Sequence, residues 1–592
     1  MREFETPASY VIPDNANNSD SVFRYGRESP DTVLFSVAGA DITAAQFAKT
    51  VTAVAKGLIA TGIEPGDRVA IMAPTRYEWV VLDHAIWAVG GCTVAIYDSS
   101  AAEQAKWILQ DSGTVLLIVD SDKHRRVIDE IPADALPDLR EILQIDKGVV
   151  AELTARGAHL DDQAVHTRRA GVGAESPATL IYTSGTTGRP KGVLLTHANL
   201  YAESKSDRLA LGEFVTEGNR TLMFLPLAHV FARAVTLAAL DAKVIVAFSS
   251  DWATLVDQFA EFRPDFILAV PRVFEKVFNA AKQKAHAGGK GRIFDRATET
   301  AIVWSETLDT GGPGLLRKLE HALFDKLVYA QLRRALGGRC GAAVSGGGPL
   351  GARLGHFFRG AGIPVYEGYG LTETTAAITV NTPRNTRVGT VGRPIEGHGV
   401  KIADDGELLL RGPVVFGEYW GNPDATADAF VDGWFRTGDL GAIDADGYLT
   451  ITGRKKEILV TAGGKNVSPG LMEDALRAHP VVGQAMVVGD GRPFVGALVT
   501  LDPEALPAWK QRNNIPADTP VEDLVDNPTL RADIDQAVAD TNKLVSKAEG
   551  IKKVRILPTD WTEATGELTP KMSLRRAEVM KKYASEVEAL YS

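Results

Sequence analysis

The sequence Thr183-Ser-Gly-Thr-Thr-Gly-Arg-Pro-Lys-Gly192 is the most informative stretch of this chain. It follows Ala178-Thr-Leu-Ile-Tyr182, an apolar run that predicts a buried strand. Its three glycines let backbone N–H groups approach an anion closely, its hydroxyl side chains add donors, and Arg189 and Lys191 add positive charge. The stretch therefore predicts a phosphate-binding loop at the end of a strand. An ordinary polar loop is the alternative interpretation.

The composition of the whole chain is that of a globular protein with an acidic balance. Its 592 residues imply two to four domains, and 45% hydrophobic with 23% charged residues is ordinary for such a protein. A net charge of -11 argues against nucleic acid as the main partner. The two cysteines, Cys92 and Cys340, exclude a disulfide framework and a Cys-based metal site, which fits a reducing compartment.

Neither a secretory signal nor a membrane span is predicted. The N-terminal sequence Met1–Pro7 has no apolar core of a signal peptide. The longest charge-free apolar stretch, about residues 85–97, contains two glycines and is shorter than the ~20 residues that a span needs. We expect a cytoplasmic protein, and peripheral membrane contact stays open.

An α/β fold class is predicted from the alternation of helix and strand patterns along residues 40–110 and 220–270. Thr43 and Gln46 form a capping-box pattern before a helix with one apolar face. Such a rhythm indicates parallel sheets covered by helices. The predicted strands are Val69–Met72, Cys92–Ile96, Thr221–Leu225, Val244–Phe248 and Phe266–Val270.

Two regions depart from this rhythm. A helical insert is predicted at about residues 281–335, where Gly288-Gly289 and Gly311-Gly312-Pro313-Gly314 interrupt helical sequence. A small β-rich subdomain is predicted at about residues 388–452. The charged junction that starts at Gly453 then separates a large N-terminal domain of two parallel-type sheets, residues 1–452, from a smaller α+β C-terminal domain, residues 453–592.

A glycine-rich loop follows the predicted strand Gly341–Val344. Gly346, Gly348 and Gly351 formally satisfy the dinucleotide pattern G-x-G-x-x-G, but Pro349 stands where that fingerprint opens a helix. A nucleotide-binding loop and a plain glycine turn therefore both remain open on this evidence.

Two further segments carry candidate ligand-binding groups. Residues Val365–Thr375 place aromatic rings, carboxylates and hydroxyls on one strand-to-loop segment. A ring there can stack on adenine and a carboxylate can hold Mg²⁺ beside phosphate, with a surface hairpin as the alternative. In Asp432–Asp439, a predicted tight turn ends at Asp439, whose carboxylate can accept both hydroxyls of a ribose; a simple Asx-type turn is the alternative.

These motifs occur in the order found in AMP-forming adenylating enzymes, and the chain resembles that superfamily over nearly its whole length. The resemblance rests on residues 183–192, 366–375, Thr437-Gly438-Asp439 and Gly453-Arg454-Lys455. Within the superfamily the chain is similar to long-chain fatty acyl-CoA synthetases. That similarity rests on Leu225–Val230, Val270–Lys276 and the helical insert.

The resemblance implies activation of a long-chain fatty acid in two half-reactions. The acid attacks the α-phosphorus of ATP to give acyl-adenylate and pyrophosphate, and the thiol of coenzyme A then displaces AMP. ATP, Mg²⁺ and coenzyme A are the implied small-molecule partners, beside the fatty acid. Two alternatives stay open, a fatty acyl-AMP ligase that delivers to a carrier protein and a non-catalytic nucleotide-binding homologue.

The resemblance also implies which residues form the site. Thr186, Glu373 and Lys571 are expected to be catalytic, and Thr186 and Glu373 are also the expected metal ligands. The expected nucleotide-binding residues are Thr183, Ser184, Gly185, Thr187, Gly188, Lys191, Gly346, Gly347, Gly348, Glu367, Gly368, Tyr369, Gly370, Thr372, Asp439 and Arg454.

Further residues are expected around this centre. His229 and Val230 are expected at the mouth of the acyl pocket, and Lys455 at a hinge about which a mobile C-terminal domain rotates. Gly464 and Lys465 are expected beside the pantetheine arm of coenzyme A, because glycine permits a narrow channel. Lys571 stands two residues before Ser573, the position at which long-chain relatives usually carry lysine, and a solvated surface lysine is the alternative.

Overall fold

The computed structural model describes residues 1–183, 189–569 and 573–592. Two parts of the predicted site lie outside the described residues. These are the loop residues Ser184, Gly185, Thr186, Thr187 and Gly188, and the lysine Lys571.

The strands follow one another along the chain in short runs. They are β1 (Glu3–Thr6), β2 (Val33–Val37), β3 (Ala40–Thr43), β4 (Arg68–Met72), β5 (Cys92–Ile96), β6 (Leu116–Val119), β7 (Glu141–Gln144), β8 (Pro177–Thr183), β9 (Lys191–Thr196), β10 (Arg220–Met223), β11 (Ile245–Phe248), β12 (Phe266–Ala269), β13 (Ala342–Ser345), β14 (Val365–Tyr369), β15 (Thr379–Val380), β16 (Arg393–Pro394), β17 (His398–Ile402), β18 (Glu407–Arg411), β19 (Glu418–Tyr419), β20 (Phe430–Val431), β21 (Trp434–Ile443), β22 (Leu449–Arg454), β23 (Leu459–Val460), β24 (Asn466–Val467), β25 (Val482–Val488), β26 (Val495–Leu501) and β27 (Ile551–Leu557).

The helices alternate with these strands. They are α1 (Asp20–Glu28), α2 (Ala44–Ala60), α3 (Tyr77–Ala88), α4 (Ala102–Ser112), α5 (Asp122–Asp129), α6 (Val149–Arg156), α7 (Asp162–Ala170), α8 (His197–Leu211), α9 (Val230–Asp241), α10 (Leu255–Phe262), α11 (Pro271–Ala287), α12 (Gly291–Leu308), α13 (Leu315–Phe324), α14 (Ala330–Ala335), α15 (Ala352–Gly360), α16 (Pro423–Ala429), α17 (Pro469–Arg477), α18 (Leu506–Arg512), α19 (Val521–Leu524), α20 (Pro528–Thr541), α21 (Arg576–Lys582) and α22 (Ala584–Tyr591). Short 3-10 turns cover Thr372–Thr374 and Lys455–Glu457, and a π-helical turn at Asp325–Tyr329 joins α13 to α14.

The first large sheet has the strand order β19-β9-β8-β5-β4-β6-β7. Its strands β8, β5, β4, β6 and β7 run parallel, whereas β9 and β19 are antiparallel additions at one edge. Strands β4, β5 and β6 are buried along almost their whole length, which is why they read as continuous hydrophobic runs in the sequence. The predicted capping box at Thr43 and Gln46 is confirmed at the start of α2, which covers this sheet with α3.

A second layer, in which only β3, β15 and β16 pair antiparallel, consists of two adjoining pieces. One has the order β10-β11-β2-β3 and the other β12-β13-β14-β15-β16. Strands β10 and β12 adjoin, because the N–H of Asp265 donates to the carbonyl oxygen of Arg220 at 2.8 Å. The carboxyl ends of β13 and β14 therefore deliver the Gly346 loop and the Tyr369 segment to one edge.

The β-rich region forms an antiparallel sheet in the order β1-β17-β18-β21-β20, with β22 paired to β21. Strand β1 comes from the N-terminal end of the chain and pairs with β17. The predicted helical breaks are confirmed, since α11 ends before Gly288, α12 begins at Gly291 and α13 begins after Gly314.

The residues after Glu457 build a separate small sheet and core. Strands β25, β26 and β27 form that sheet, and a buried cluster from Val467 to Ile556 packs on it. The large core of the preceding part extends from Val22 to Leu449. Within the described ranges, none of the helices combines the length and the apolar character that crossing a bilayer requires.

Candidate active site

The predicted phosphate loop connects two hydrogen-bonded strand ends. Thr183 ends β8 and Lys191 begins β9, and these two residues are register partners in an antiparallel pair. The C-terminal side of the loop rests on α4, where the indole N–H of Trp107 donates to the carbonyl oxygen of Pro190 at 2.8 Å. The guanidinium of Arg189 lies 4.6 Å from the centre of the Trp107 ring. This anchoring fixes where the loop leaves the sheet.

Tyr419 connects the lysine of this loop with the predicted metal ligand. Its ring centre lies 4.8 Å from Nζ of Lys191, and its hydroxyl donates to Oε1 of Glu373 at 2.9 Å. Burial raises the pKa of Tyr419, and the Glu373 carboxylate raises it further, so the phenol stays a proton donor. A cation and a carboxylate therefore face the same ring at the strand end.

A sharp backbone turn holds Glu373 in this position. The chain passes from β14 through the 3-10 turn to Thr375 and Ala376, whose φ angles of 59° and 147° are unusual for residues with side chains. A Cβ added at Gly370 would lie 1.4 Å from the carbonyl oxygen of Ala376, so only glycine fits there. Beyond the turn, the N–H of Ala377 donates to Oε1 of the buried Glu203 at 2.7 Å.

Tyr369 and Asp439 form the second polar pair of the site. The Tyr369 hydroxyl donates to Oδ2 of Asp439 at 2.6 Å, and Nε of Arg454 lies 3.3 Å from Oδ1. Burial raises the pKa of Asp439, whereas Arg454 and the Tyr369 hydrogen bond lower it. Burial beside the Asp439 carboxylate raises the pKa of Tyr369. The pair brings the Val365–Thr375 segment and the β-rich sheet together.

The surroundings of Asp439 differ from the predicted tight turn. Asp439 lies inside the long strand β21, opposite Arg454 on β22. Instead of a turn, the strand has a local irregularity at Gly438. The φ of Gly438 is 70°, and the pairing register of β18 with β21 shifts beside it. The hydroxyl of Thr437 accepts the N–H of Asp439 at 3.0 Å. The carboxylate is thus held by a bulged strand rather than by a loop.

Glu367 links the Gly346–Gly348 loop to β14, the strand that carries Tyr369. Oε1 of Glu367 accepts the N–H of Leu350 at 2.9 Å, which ties the loop to β14. Burial raises the pKa of Glu367 to about 7. Gly347 has a φ of 79°, and the loop leads into α15 only at Ala352, so no helix opens at Pro349 within this described segment. Gly368 and Thr372 lie on either side of Tyr369 and Gly370, along the same edge.

His229 and Val230 begin helix α9 beside that loop. Nδ1 of His229 accepts the N–H of Phe231 at 3.1 Å, which caps the helix, and Val230 is buried. The Phe231 ring approaches Gly346 so closely that a Cβ there would lie 3.3 Å from it. The predicted pocket residues are thus neighbours of the predicted nucleotide loop.

Comparison with models of protein families shows to which family the chain belongs. The AMP-binding enzyme model matches residues 22–420, and the model of the AMP-binding enzyme C-terminal domain matches residues 456–592. The chain belongs to the AMP-binding enzyme family. It is 53% identical over 599 aligned residues, covering all of both chains, to the protein named long-chain-fatty-acid–CoA ligase FadD15 of Mycobacterium tuberculosis.

More distant members of the AMP-binding enzyme family extend the comparison. The mouse protein named long-chain-fatty-acid–CoA ligase ACSBG1 is 31% identical, with 91% of this chain and 80% of that protein covered. The crystal structure of the anthranilate CoA ligase AuaEII with anthranoyl-AMP matches with a TM-score of 0.72 at 20% identity, covering 96% of this chain and 98% of that one. This structural likeness shows the shared fold.

The junction of this AMP-binding enzyme carries Lys455 directly after β22. Its Nζ lies 2.5 Å from Oδ2 of Asp405 and 3.0 Å from Oε2 of Glu407. The other oxygen of Glu407 accepts the N–H of Gly438 at 3.1 Å. The junction is thereby linked, through one carboxylate, to the bulge beside Asp439.

The C-terminal part of this AMP-binding enzyme contacts the larger part near the strand ends. Arg272 lies 3.0 Å from Asp502, and Lys276 lies 2.8 Å from Glu504. Burial raises the pKa of Tyr97, which follows β5, and the carboxylate of Glu563 raises it further.

Gly464 and Lys465 lie in the hairpin between β23 and β24, within the C-terminal part. Gly464 has a φ of 75°, and Nζ of Lys465 lies 3.3 Å from Oε1 of Glu549. On strand β27, the ammonium groups of Lys552 and Lys553 donate to the backbone carbonyl oxygens of Lys547 and Ser592. Both lysines therefore have partners within the C-terminal part.

Sequence reasoning did not identify Tyr419, Trp107 or Glu203. Tyr419 follows Gly417-Glu418 in a two-residue strand, a signal too common in β-rich sequence to be singled out. Glu203 lies on helix α8, where a glutamate usually faces solvent, but here it is fully buried.

Proposed function

We propose that this AMP-binding enzyme is an ATP-dependent long-chain fatty acid–CoA ligase. The acid carboxylate attacks the α-phosphorus of ATP, which forms acyl-AMP and releases pyrophosphate. The sulfur of coenzyme A then attacks the acyl carbon, which forms the thioester and releases AMP. The 53% identity over the full length of a relative with that name supports the substrate class.

The observation that carries the reaction type is the cluster of Lys191, Tyr419 and Glu373 at the end of β8. An anionic carboxylate must approach a polyanion in the first half-reaction, so the site needs fixed positive charge and aimed N–H groups. Lys191 supplies a cation next to the loop, and Thr183 adds a hydroxyl at its start. We assign both residues, with the rest of the loop, to the phosphates.

The nucleoside half of ATP fits the Tyr369–Asp439 pair. We assign the Tyr369 ring to the adenine, against the backbone of Gly346–Gly348, and the Asp439 carboxylate and Arg454 to the ribose. The carboxylate already accepts one hydroxyl, from Tyr369, at 2.6 Å. A ribose hydroxyl is an equivalent donor, so the Asp439 carboxylate can accept it without changing its own charge.

Glu373 fits a magnesium ion only if phosphate oxygens of the substrate coordinate the same ion. Within the described ranges, no group of three or more His, Cys, Asp or Glu side chains is arranged to hold a metal by itself. Mg²⁺ usually takes one or two carboxylates together with substrate phosphates and water. We assign Glu373 to that role, in which the bound ion neutralises phosphate charge.

The remaining assignments concern the acyl group, the thiol and the division of the chain. His229 and Val230 border the acyl pocket, and Gly464 and Lys465 border the path of the pantetheine arm. We place the boundary between the two domains at residue 453, with the smaller domain mobile about Lys455. The separate hydrophobic cores on either side of this boundary support the division.

One incubation tests the proposal and separates it from its alternatives. The purified protein is mixed with ATP, Mg²⁺ and palmitate, with and without coenzyme A, and products are resolved by mass spectrometry. Palmitoyl-CoA formed only with coenzyme A supports the ligase. Palmitoyl-AMP as the sole product in both mixtures would favour an acyl-AMP ligase that needs a carrier protein, and neither product would favour a non-catalytic nucleotide-binding protein.

A further inference from the structure

Helix α13 of the insert exposes a continuous apolar face. Leu315, Leu319 and Leu323 recur every four residues and so lie along one side of the helix. Leu315 and Leu316 are 74% and 83% exposed. The exposed leucines of this region are Leu308, Leu315, Leu316, Leu319, Leu323 and Leu327. We call this set the leucine face.

The opposite side of α13 is firmly packed on the protein. His321 stacks on Trp304 with ring centres 4.0 Å apart, and its Nε2 lies 2.7 Å from the carbonyl oxygen of Gly360. Phe324 is buried. At about 100° per residue, these two side chains point away from the leucine face. The helix is therefore held in place by one side while its apolar side stays exposed.

Basic residues accompany the leucine face although the chain as a whole is acidic. The segment from Pro313 to Leu336 has five Lys or Arg residues and two acidic ones. Both acidic side chains are already paired, Glu320 with Arg296 at 2.8 Å and Asp325 with Arg333 at 2.8 Å. Positive charge thus remains beside the exposed leucines, from the exposed Lys318, one turn from Leu315, and from the exposed Lys326, between Leu323 and Leu327.

We propose that the leucine face docks on the surface of a lipid bilayer that contains anionic lipids, with α13 lying in the interface. An amphipathic helix that combines large apolar side chains with Lys and Arg binds such an interface through apolar burial and attraction to anionic headgroups. A second copy of the chain is a poorer occupant. An isologous contact through this face would bring two basic rims together.

The position of the helix links this surface to the proposed active site. α13 packs on α12, and α12 packs on α11 and α15. α11 starts at Pro271 beside Gly348, and α15 follows the Gly346–Gly348 loop. A docked insert therefore holds the proposed pocket side of the enzyme near the bilayer. The docking itself does not depend on the proposed reaction, because the leucine face lies outside the nucleotide cluster.

Vesicle flotation with the full-length protein tests this proposal without ATP or fatty acid. The probes are vesicles of phosphatidylcholine alone and vesicles of phosphatidylcholine and phosphatidylglycerol in equal parts. The wild type is expected to float with the anionic vesicles. Leu316→Glu/Leu319→Glu should lower its partition coefficient about a hundredfold, because two apolar side chains no longer enter the interface.

Two further variants separate the contribution of the basic residues from the effect of changing exposed leucines in general. Lys318→Glu/Lys326→Glu should weaken binding to the anionic vesicles at least about tenfold, with little change on neutral vesicles. Leu209→Glu/Leu544→Glu is the matched control, since these leucines are 51% and 55% exposed outside the insert. It should float like the wild type. All variants should keep the wild-type thermal unfolding midpoint, because the changed side chains are exposed.

Each other outcome overturns the proposal. Failure of the wild type to float, or equal flotation of the Leu316→Glu/Leu319→Glu variant, removes the bilayer as occupant. A wild-type dimer that this variant abolishes, without vesicle binding, assigns the face to a second copy of the chain. Product formation from albumin-bound palmitate without vesicles should be equal in all variants, so loss of the proposed reaction would be recognised separately from loss of docking.

Discussion

The hydroxyl of Tyr369 donates a 2.6 Å hydrogen bond to Oδ2 of Asp439, which joins the end of β14 to strand β21 of the β-rich sheet. The two side chains are 70 residues apart in the sequence. Because each lies next to a glycine, Gly370 and Gly438, the backbone can bend sharply at both places. This contact assembles the proposed adenosine site from two separate parts of the fold.

Removing the Tyr369 hydroxyl should affect the ionisation of Asp439 more than the stacking of adenine. The hydrogen bond lowers the pKa of Asp439, so Tyr369→Phe should raise that pKa and move the acid limb of kcat/KM for ATP to higher pH. Tyr369→Ala should in addition raise the KM for ATP roughly tenfold or more, because it removes the ring. An unchanged pH profile in Tyr369→Phe would contradict the assignment of Asp439 to ribose.

Neutralising Glu373 should weaken metal-dependent adenylate formation. Glu373→Gln keeps the size of the side chain but removes the charged oxygen, so we expect a roughly hundredfold loss at limiting Mg²⁺, about 2.7 kcal/mol. The measurement is palmitate-dependent exchange of pyrophosphate into ATP over a Mg²⁺ series. Glu418→Gln, on an exposed neighbour of Tyr419, is the matched control. The same Mg²⁺ dependence in Glu373→Gln and wild type would exclude Glu373 as a metal ligand.

Fixing the backbone at Lys455 should separate the two half-reactions. If the junction rotates between steps, Lys455→Pro should leave acyl-AMP formation measurable while slowing thioester formation by at least about tenfold. Lys455→Ala tests the ion pairs with Asp405 and Glu407 without restricting the backbone. Single-turnover measurements of each step compare the variants. Equal slowing of both steps by Lys455→Pro would argue against a hinge.

The buried carboxyl pair Glu203 and Asp207 on α8 should make stability depend on pH. Burial raises the pKa of Glu203 and raises the pKa of Asp207 to about 7. In the unfolded chain such groups ionise near about pH 4, so between about pH 4 and about pH 7 the folded state binds more protons. Stability contributed by this pair is therefore lost as pH rises through that window.

Asp207→Asn should remove the part of this loss that Asp207 contributes, while the buried Glu203 keeps its own part. Thermal unfolding midpoints of variant and wild type, compared at several pH values in the window, should converge at low pH and favour the variant as pH rises. Asp31→Asn, at an exposed carboxylate, is the control and should follow the wild type. A constant difference between Asp207→Asn and wild type across the window would show that the carboxyl pair does not set the pH dependence.

Local sequence predicted the buried parallel strands well, because burial on both faces leaves a continuous apolar run. Val69–Met72 and Cys92–Ile96 are examples, and they match β4 and β5 within one residue. Pairings across long separations could not be predicted in this way. Strand β1 pairs with β17, and β2 enters the second layer beside β11, because of tertiary contacts that no local pattern encodes.

The candidate site shows the same division between local and tertiary information. The chemistry of Tyr369, Glu373 and Asp439 is visible in the sequence, since glycines and polar groups cluster around each. Tyr419 was not predicted, because its role arises only when β19 pairs with β9 and brings the ring to Lys191. Likewise, Glu203 becomes informative only when the fold buries it against Ala377.

A crystal structure with a non-hydrolysable ATP analogue would show directly whether Tyr369, Asp439 and Lys191 bind the nucleotide. We expect the ribose hydroxyls within hydrogen-bond distance of the Asp439 carboxylate, the adenine against the Tyr369 ring and the phosphates next to Lys191. An analogue bound elsewhere, with these three residues all free of contact with it, would contradict the proposed nucleotide site.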